Sequence, residues 1–166
     1  MPDKDAECPD GGMNKMEPGR YDTIRLENQL CFPLYACSRE VVRQYRMPLK
    51  PLGLTYTQYV VMMVLWEHNS ITEKILGEKI HLDSGTLTPL LKRLEKQGLV
   101  RRERPEYNEN TLLISLTEAG TAMKDDALSV PEMMRDCMGL SMEECFTLRK
   151  LLDKALAHMA QKKDSI

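Results

Sequence analysis

The feature that most constrains this chain is a change of hydrophobic period at Gly98. Before it, Leu87, Leu90, Leu91 and Leu94 recur at helical spacing, one apolar stripe on an otherwise polar segment. Behind it, residues 99–104 and 111–116 read as two strands, joined by the turn-rich Pro105-Glu106-Tyr107-Asn108-Glu109-Asn110. Gly98 is placed to stop the helix in a left-handed cap, and Ser84 can cap its start. Just upstream, a shorter helix follows Thr72 and runs to about Ile80, with His81-Leu82-Asp83 as the link. Two helices joined by a tight turn, the second amphipathic and basic, read as a helix-turn-helix. A hairpin directly behind the second helix reads as a wing.

The remaining segments are helical. Residues 1–20 are rich in Asp, Pro and Gly and read as a disordered tail. From residue 24 to about 45, Leu26, Leu30, Leu34, Val41 and Val42 follow helical spacing. Pro33 must either kink that helix or mark a break near Gln29, because it has no amide donor. Pro48 and Pro51 punctuate a connection into a helix over residues 57–68, apolar all round as a buried core helix is. Thr117 opens a helix to about Leu128, and Pro131 interrupts or begins the next segment. Ser141-Met142-Glu143-Glu144 is a capping box for a last helix to about Ala160. No internal repeat is evident.

The expected fold is therefore mainly α with a small β wing. The organisation reads as a tail over 1–20, a winged-helix domain over 21–160 whose DNA-binding core spans about 55–120, and a tail over 161–166. Leu26, Leu30 and Leu34 near one end, and Leu148, Leu151, Leu152 and Leu156 near the other, need partners. A homodimer built from the N- and C-terminal helices would bury them and set two second helices about one DNA turn apart.

Composition narrows the function. A net charge of −2 excludes a globally basic nucleic-acid binder. The charge is uneven, though: Lys92, Arg93, Lys96, Arg101, Arg102 and Arg104 are opposed only by Glu95 and Glu103 over residues 92–104. Such a local basic stripe suits phosphate contact. No apolar run approaches the roughly 20 residues that span a bilayer, so no membrane partner is expected. With no export pattern at the N-terminus, the default location is the cytoplasm. Five cysteines, Cys8, Cys31, Cys37, Cys137 and Cys145, make an odd set that argues against a structural disulfide framework. Scattered histidines and the absence of a CxxC pair give no support for zinc, and no cofactor is expected.

Two constellations carry chemistry. On the basic helix, Ser84, Thr86, Thr88, Lys92 and Arg93 are polar members of a leucine-faced helix, suited to base edges and phosphates. Pro89 falls in its first turns, where it costs least, and can touch a thymine methyl. The other constellation is Cys31, on an apolar helix with tyrosines nearby in sequence. Hydroxyl donors and a helix N-terminus stabilise a thiolate, the reactive form of cysteine.

Several runs together carry a resemblance. They are Leu26-Glu27-Asn28-Gln29-Leu30-Cys31-Phe32, Gly53-Leu54-Thr55-Tyr56-Thr57-Gln58-Tyr59, Leu65-Trp66-Glu67-His68 and Ile114-Ser115-Leu116-Thr117-Glu118-Ala119-Gly120. Above all there is Leu82-Asp83-Ser84-Gly85-Thr86-Leu87-Thr88-Pro89-Leu90-Leu91-Lys92-Arg93-Leu94-Glu95. Over roughly residues 24–160 the chain resembles the organic-hydroperoxide-sensing regulators of the MarR family.

The resemblance implies a winged-helix homodimer that binds a palindromic double-stranded operator, represses a peroxidase gene and is not an enzyme. The sensing cysteine of the family matches Cys31. Two tyrosines that hydrogen-bond the thiolate across the dimer match Tyr45 and Tyr56. DNA-contacting positions match Asp83, Ser84, Thr86, Thr88, Pro89, Lys92 and Arg93. An organic hydroperoxide is the implied inducer, converting Cys31 to a sulfenic acid that condenses with a second thiol. The two-cysteine branch is favoured, with Cys137 as resolving thiol; Cys145 and a small-molecule thiol stay open.

The wing departs from the family pattern. An Asp and, two residues on, a minor-groove Arg are replaced by Asn108 and Asn110, with Arg101, Arg102 and Arg104 as partial compensation. Cys37 reads as packing, and Cys8 lies in the tail. Alternatives are a MarR-type regulator that senses a ligand in the dimer crevice, or a broader thiol sensor of hypochlorite or electrophiles. A thiol peroxidase fits poorly, since the chain spends its residues on a DNA-binding unit.

Overall fold

The structure, a computed structural model, describes residues 19, 21–105 and 111–163. Its contacts divide the chain into two units, residues 1–38 and 39–166.

In the first unit, two short 3-10 turns, Asp22–Ile24 and Leu26–Asn28, precede helix α1, Cys31–Gln44. The helix begins after Gln29, so Pro33 lies in its first turn, where no intrahelical donor is needed. Of the two outcomes expected for Pro33, the break is the one observed. Every residue of this unit from Leu30 onward is exposed. That includes Cys37, which the sequence suggests as a packing residue. Among the described residues nothing covers the face on which it lies.

The second unit holds the end of α1, then α2 (Arg46–Leu49), α3 (Tyr56–His68), β1 (Ser70–Thr72), α4 (Glu73–Ile80) and α5 (Ser84–Lys96). They are followed by β2 (Val100–Glu103), β3 (Leu113–Leu116), α6 (Glu118–Asp126), α7 (Ser129–Met133) and α8 (Met142–Lys163). Where sequence spacing gives a bare connection, α2 forms a short helix, because Pro48 and Leu49 are buried against the core. Thr55 caps α3 in a reciprocal capping box with Gln58. Asp83, rather than Ser84, is the cap of α5. Its carboxylate accepts the Thr86 amide at 2.9 Å, which makes Ser84 the first helical residue. Pro89 sits well inside α5, not in its first turn. The Gly85 carbonyl thus loses its usual helical donor. Gly98 closes α5 at φ 75, with Leu99 N–H donating to the Leu94 carbonyl and Gly98 N–H to the Glu95 carbonyl. The capping box of α8 is present as expected: Ser141 N–H donates to the Glu144 carboxylate and Glu144 N–H to the Ser141 hydroxyl.

The sheet has three antiparallel strands in the order β1-β3-β2. The hairpin β2–β3 pairs Arg102 with Ile114, as the period change implies, while β1 adds Ile71 beside Ile114. Sequence spacing misses β1. It is only three residues long, and pairing with β3 supplies what its own pattern does not. The hairpin turn over 106–110 lies outside the described residues.

One core sits beneath the sheet and between the helices: Val61, Met62, Leu65, Leu76, Leu87, Leu91, Leu94 and Ile114 are fully buried. α3 is therefore the central helix, apolar on most faces because α4, α6 and the sheet all pack on it. By contrast, Phe146, Leu151, Leu152, Leu156 and Met159 of α8 are exposed.

Candidate nucleic-acid interface and thiol site

Leu87, Leu91 and Leu94 bury one face of α5, which turns Ser84, Gly85, Thr86, Pro89, Lys92 and Arg93 outward together. Exposure of both Lys92 and Arg93 leaves two cations on a surface able to meet phosphate. The end of α5 is tied to the start of α3. Gln58, the one buried polar side chain among the described residues, donates to Gln97 at 3.3 Å, and Gln97 donates to the Gly53 carbonyl at 3.2 Å.

Several polar groups at this surface are already engaged. The two Asp83 carboxylate oxygens accept the amide and the hydroxyl of Thr86, at 2.9 and 3.1 Å. These bonds hold the Asp83 carboxyl below the usual carboxylate range. Thr88 is half-buried, and its hydroxyl donates to the Glu73 carboxylate at 2.6 Å. Arg102 is turned inward, its side chain only 15% exposed, with Nη1 3.4 Å from Glu95 Oε2. It braces β2 against α5, whereas Arg101 and Arg104 are exposed. Asn108 and Asn110 lie outside the described residues. Glu73 and Glu95 escape a reading by spacing, because each acts on a residue more than one helical turn away in sequence.

The thiol site is built separately. Tyr45 precedes α2 and Tyr56 opens α3, and their ring centroids lie 4.7 Å apart; Tyr59 joins them at 6.1 Å from Tyr45. Burial pushes the Tyr45 phenol up from its ordinary value, followed by the neighbouring phenols of Tyr56 and Tyr59 and the thiol of Cys137. α7 packs against α2, and Cys137 follows α7 by a few residues. Tyr45 and Tyr56, which the sequence could not show to converge, thus meet, and Cys137 lies in the same unit. Cys137 is exposed, while Cys145 is half-buried in the first turn of α8 with its thiol 3.9 Å from the Leu140 carbonyl. Cys31 belongs to the other unit, where it is exposed and is the first residue of α1.

No group of three His, Cys, Asp or Glu able to hold a metal occurs among the described residues. No helix among them is long and apolar enough to cross a membrane.

A short helix, a turn, an amphipathic basic helix and a sheet hairpin behind it define a winged-helix DNA-binding protein. Comparison with known proteins takes the assignment further. The family model described as transcriptional regulator SarA/Rot matches residues 43–127. The chain is 46% identical over 143 residues to the organic hydroperoxide resistance transcriptional regulator of Bacillus subtilis (strain 168), covering 86% of this chain and 97% of that one. Reduced AbfR bound to DNA, a Staphylococcus epidermidis protein, superposes with a TM-score of 0.68 at 38% identity, covering 84% of this chain and 98% of that one. Disulfide-formed AbfR gives 0.60 at 37% identity, with coverages of 84% and 95%. The chain belongs to the MarR-type winged-helix transcriptional regulators, in the group of the organic hydroperoxide resistance regulators.

Proposed function

We propose that this protein is a homodimeric repressor that holds a palindromic operator while Cys31 is reduced and releases it when an organic hydroperoxide oxidises that thiol. The observation that carries this reading is the pairing of the Tyr45 and Tyr56 rings at 4.7 Å beside α2, against which α7, a few residues before Cys137, packs. Together these are the groups a thiolate delivered by a second copy needs: two hydroxyl donors and a second thiol. The relatives support it, since AbfR is known reduced on DNA and in a disulfide form.

The chemistry runs in two steps. The Cys31 thiolate attacks one oxygen of the hydroperoxide, the O–O bond breaks, and the alkoxide leaves and takes a proton to become an alcohol. Sulfur is oxidised to the sulfenic acid as the peroxide is reduced. The Cys137 thiol of the second copy then displaces water from that sulfur and forms an intersubunit disulfide. Cys137 suits this role better than Cys145, which is less exposed.

A second copy also accounts for the apolar residues left exposed near both ends of the chain, among them Leu30, Leu34, Phe146, Leu151 and Leu156. Contact with DNA falls to the core over about 55–120, through Ser84, Thr86, Pro89, Lys92, Arg93 and Arg104, with the Asp83–Thr86 pair presenting the helix start. Asn108 and Asn110 would follow the minor groove from the hairpin turn.

The test is an operator gel shift and a non-reducing gel with and without stoichiometric cumene hydroperoxide, on wild type, Cys31→Ser and Cys137→Ser. Release of DNA by wild type with a Cys31–Cys137 linked dimer is expected. Cys31→Ser should bind DNA and ignore oxidant; release of that variant at the same dose would sink the sensor assignment. Release without a linked dimer would point to a sulfenic acid or a small-thiol adduct at Cys31, whereas a linked dimer that persists in Cys137→Ser would move the second thiol to Cys145.

A further inference from the structure

Glu73 stands where the three parts of the winged-helix unit meet. As the first residue of α4, it donates its backbone N–H to the Leu112 carbonyl at 2.8 Å, immediately before β3. Its carboxylate accepts the Thr88 hydroxyl of α5 at 2.6 Å. The preceding Thr72 caps α4 and pairs with Leu113 in the sheet. One residue therefore connects the first helix of the helix-turn-helix, the wing strand and the second helix. Both Glu73 and Thr88 are half-buried, which strengthens a charge-assisted bond relative to one in open water. Glu73 also lines a cleft of about 670 Å³, whose walls include Lys74, Glu78, His81, Arg104 and Thr111.

The sequence places Thr88 among residues that touch DNA. In the structure its hydroxyl donates a hydrogen bond to a carboxylate instead. A phosphate can only accept hydrogen bonds, and it would meet at Thr88 an oxygen whose proton is committed and a negative charge behind it.

We propose that Glu73 is a positioning residue for operator recognition: through Thr88 it locks α5 against α4 and the wing, and Thr88 serves as its strut rather than as a phosphate contact. This inference rests on the DNA-binding role of α5. It makes Glu73 a determinant of discrimination, not of general affinity. A helix held at one angle meets base edges correctly, whereas exposed Lys92 and Arg93 attract any duplex.

The experiment compares wild type, Glu73→Gln, Glu73→Ala, Thr88→Val and the Glu73→Ala/Thr88→Val double variant. Each is titrated, across a range of salt, onto an operator duplex selected by the wild type from a random pool and onto a shuffled duplex. Amide hydrogen exchange of the free proteins is measured in parallel. Glu73→Ala and Thr88→Val should each lower operator affinity about tenfold, while shuffled-duplex affinity and the salt slope stay at wild-type values. The double variant should be no worse than the weaker single one, since both remove one interaction. Glu73→Gln keeps an acceptor oxygen and should retain operator affinity within about twofold. In the free proteins, amides of α5 and β3 should exchange faster in Glu73→Ala and Thr88→Val.

A salt slope reduced by about one in Thr88→Val alone, or additive losses in the double variant, would make Thr88 a direct phosphate contact and overturn the proposal. Unchanged discrimination and exchange in Glu73→Ala would overturn it too. Failure of the wild type itself to discriminate between the duplexes would instead count against the DNA-binding reading, and the exchange data would still decide whether the strut exists.

Discussion

Replacing Gly120 by Ala isolates the packing that anchors the wing to the rest of the fold. Gly120 lies in the first turn of α6 and is buried. A Cβ built there would sit 2.0 Å from the Leu99 carbonyl oxygen and 3.2 Å from Leu116 Cδ2. A methyl carbon and a carbonyl oxygen settle at about 3.3 Å or beyond, so α6 must withdraw by roughly 1 Å. Two hydrogen bonds span that junction: Trp66 Nε1–H donates to the Gly120 carbonyl at 2.8 Å, and Thr117 N–H donates to the Leu99 carbonyl at 3.1 Å. Overpacking alone costs about 1–3 kcal/mol, and each weakened bond adds about 0.5–1.5 kcal/mol. A total of about 2–6 kcal/mol is a large part of the roughly 5–15 kcal/mol that holds a domain together. It corresponds to a fall in Tm of about 5–20 °C.

Circular-dichroism melting measures this directly. Urea unfolding followed by emission of Trp66, the one tryptophan of the chain, reports on the junction itself. Gly98→Ala is the control of opposite kind. At φ 75 with open space around the position, it suffers backbone strain of about 1–2 kcal/mol and no clash. If Gly120→Ala melts within about 1 °C of wild type, or loses less than Gly98→Ala, the steric account of this junction is wrong.

The same geometry yields other outcomes. Lys92→Ala should weaken binding to every duplex alike and reduce the salt slope of operator binding by about one; an unchanged slope places Lys92 away from phosphate. Tyr45→Phe should preserve operator binding by the reduced protein yet slow the reaction of Cys31 with cumene hydroperoxide; an unaltered rate in a stopped-flow assay would remove Tyr45 from the thiolate's surroundings. Burial raises the phenols of both Tyr45 and Tyr59 above their ordinary 10.0. The stability held by these neutral phenols is fully present below pH 10.0 and is lost as pH rises through their raised values. Urea midpoints should therefore fall on the alkaline side, less steeply in Tyr45→Phe, and parallel curves for the two proteins would contradict the assignment.

Local rules make much of this molecule legible. The leucine spacing of α5, the stop at Gly98, the capping box of α8 and the strands of the wing are contained within a few residues each, and the structure places all of them as read. Errors of one position, such as Ser84 for Asp83 as the cap of α5, arise because both residue types can cap and only the backbone angle at Asp83 decides. The motif around Cys31 is equally legible as a family signature, although nothing in its spacing shows what surrounds the thiol.

What the chain determines by itself is thus the order and identity of its elements, since amphipathic period, caps and turn residues act over one or two helical turns. What tertiary structure decides is which side chains meet. Strand β1 exists because β3 lies beside it. Arg102 faces inward because Glu95 waits on α5, and the Thr88 hydroxyl donates a hydrogen bond to Glu73 fifteen residues away. Tyr45 and Tyr56 meet because α2 packs on the start of α3, and α7 folds back onto α2. Contacts of this kind depend on how packed elements are oriented in space, and a pattern of residues along one element carries no record of that orientation.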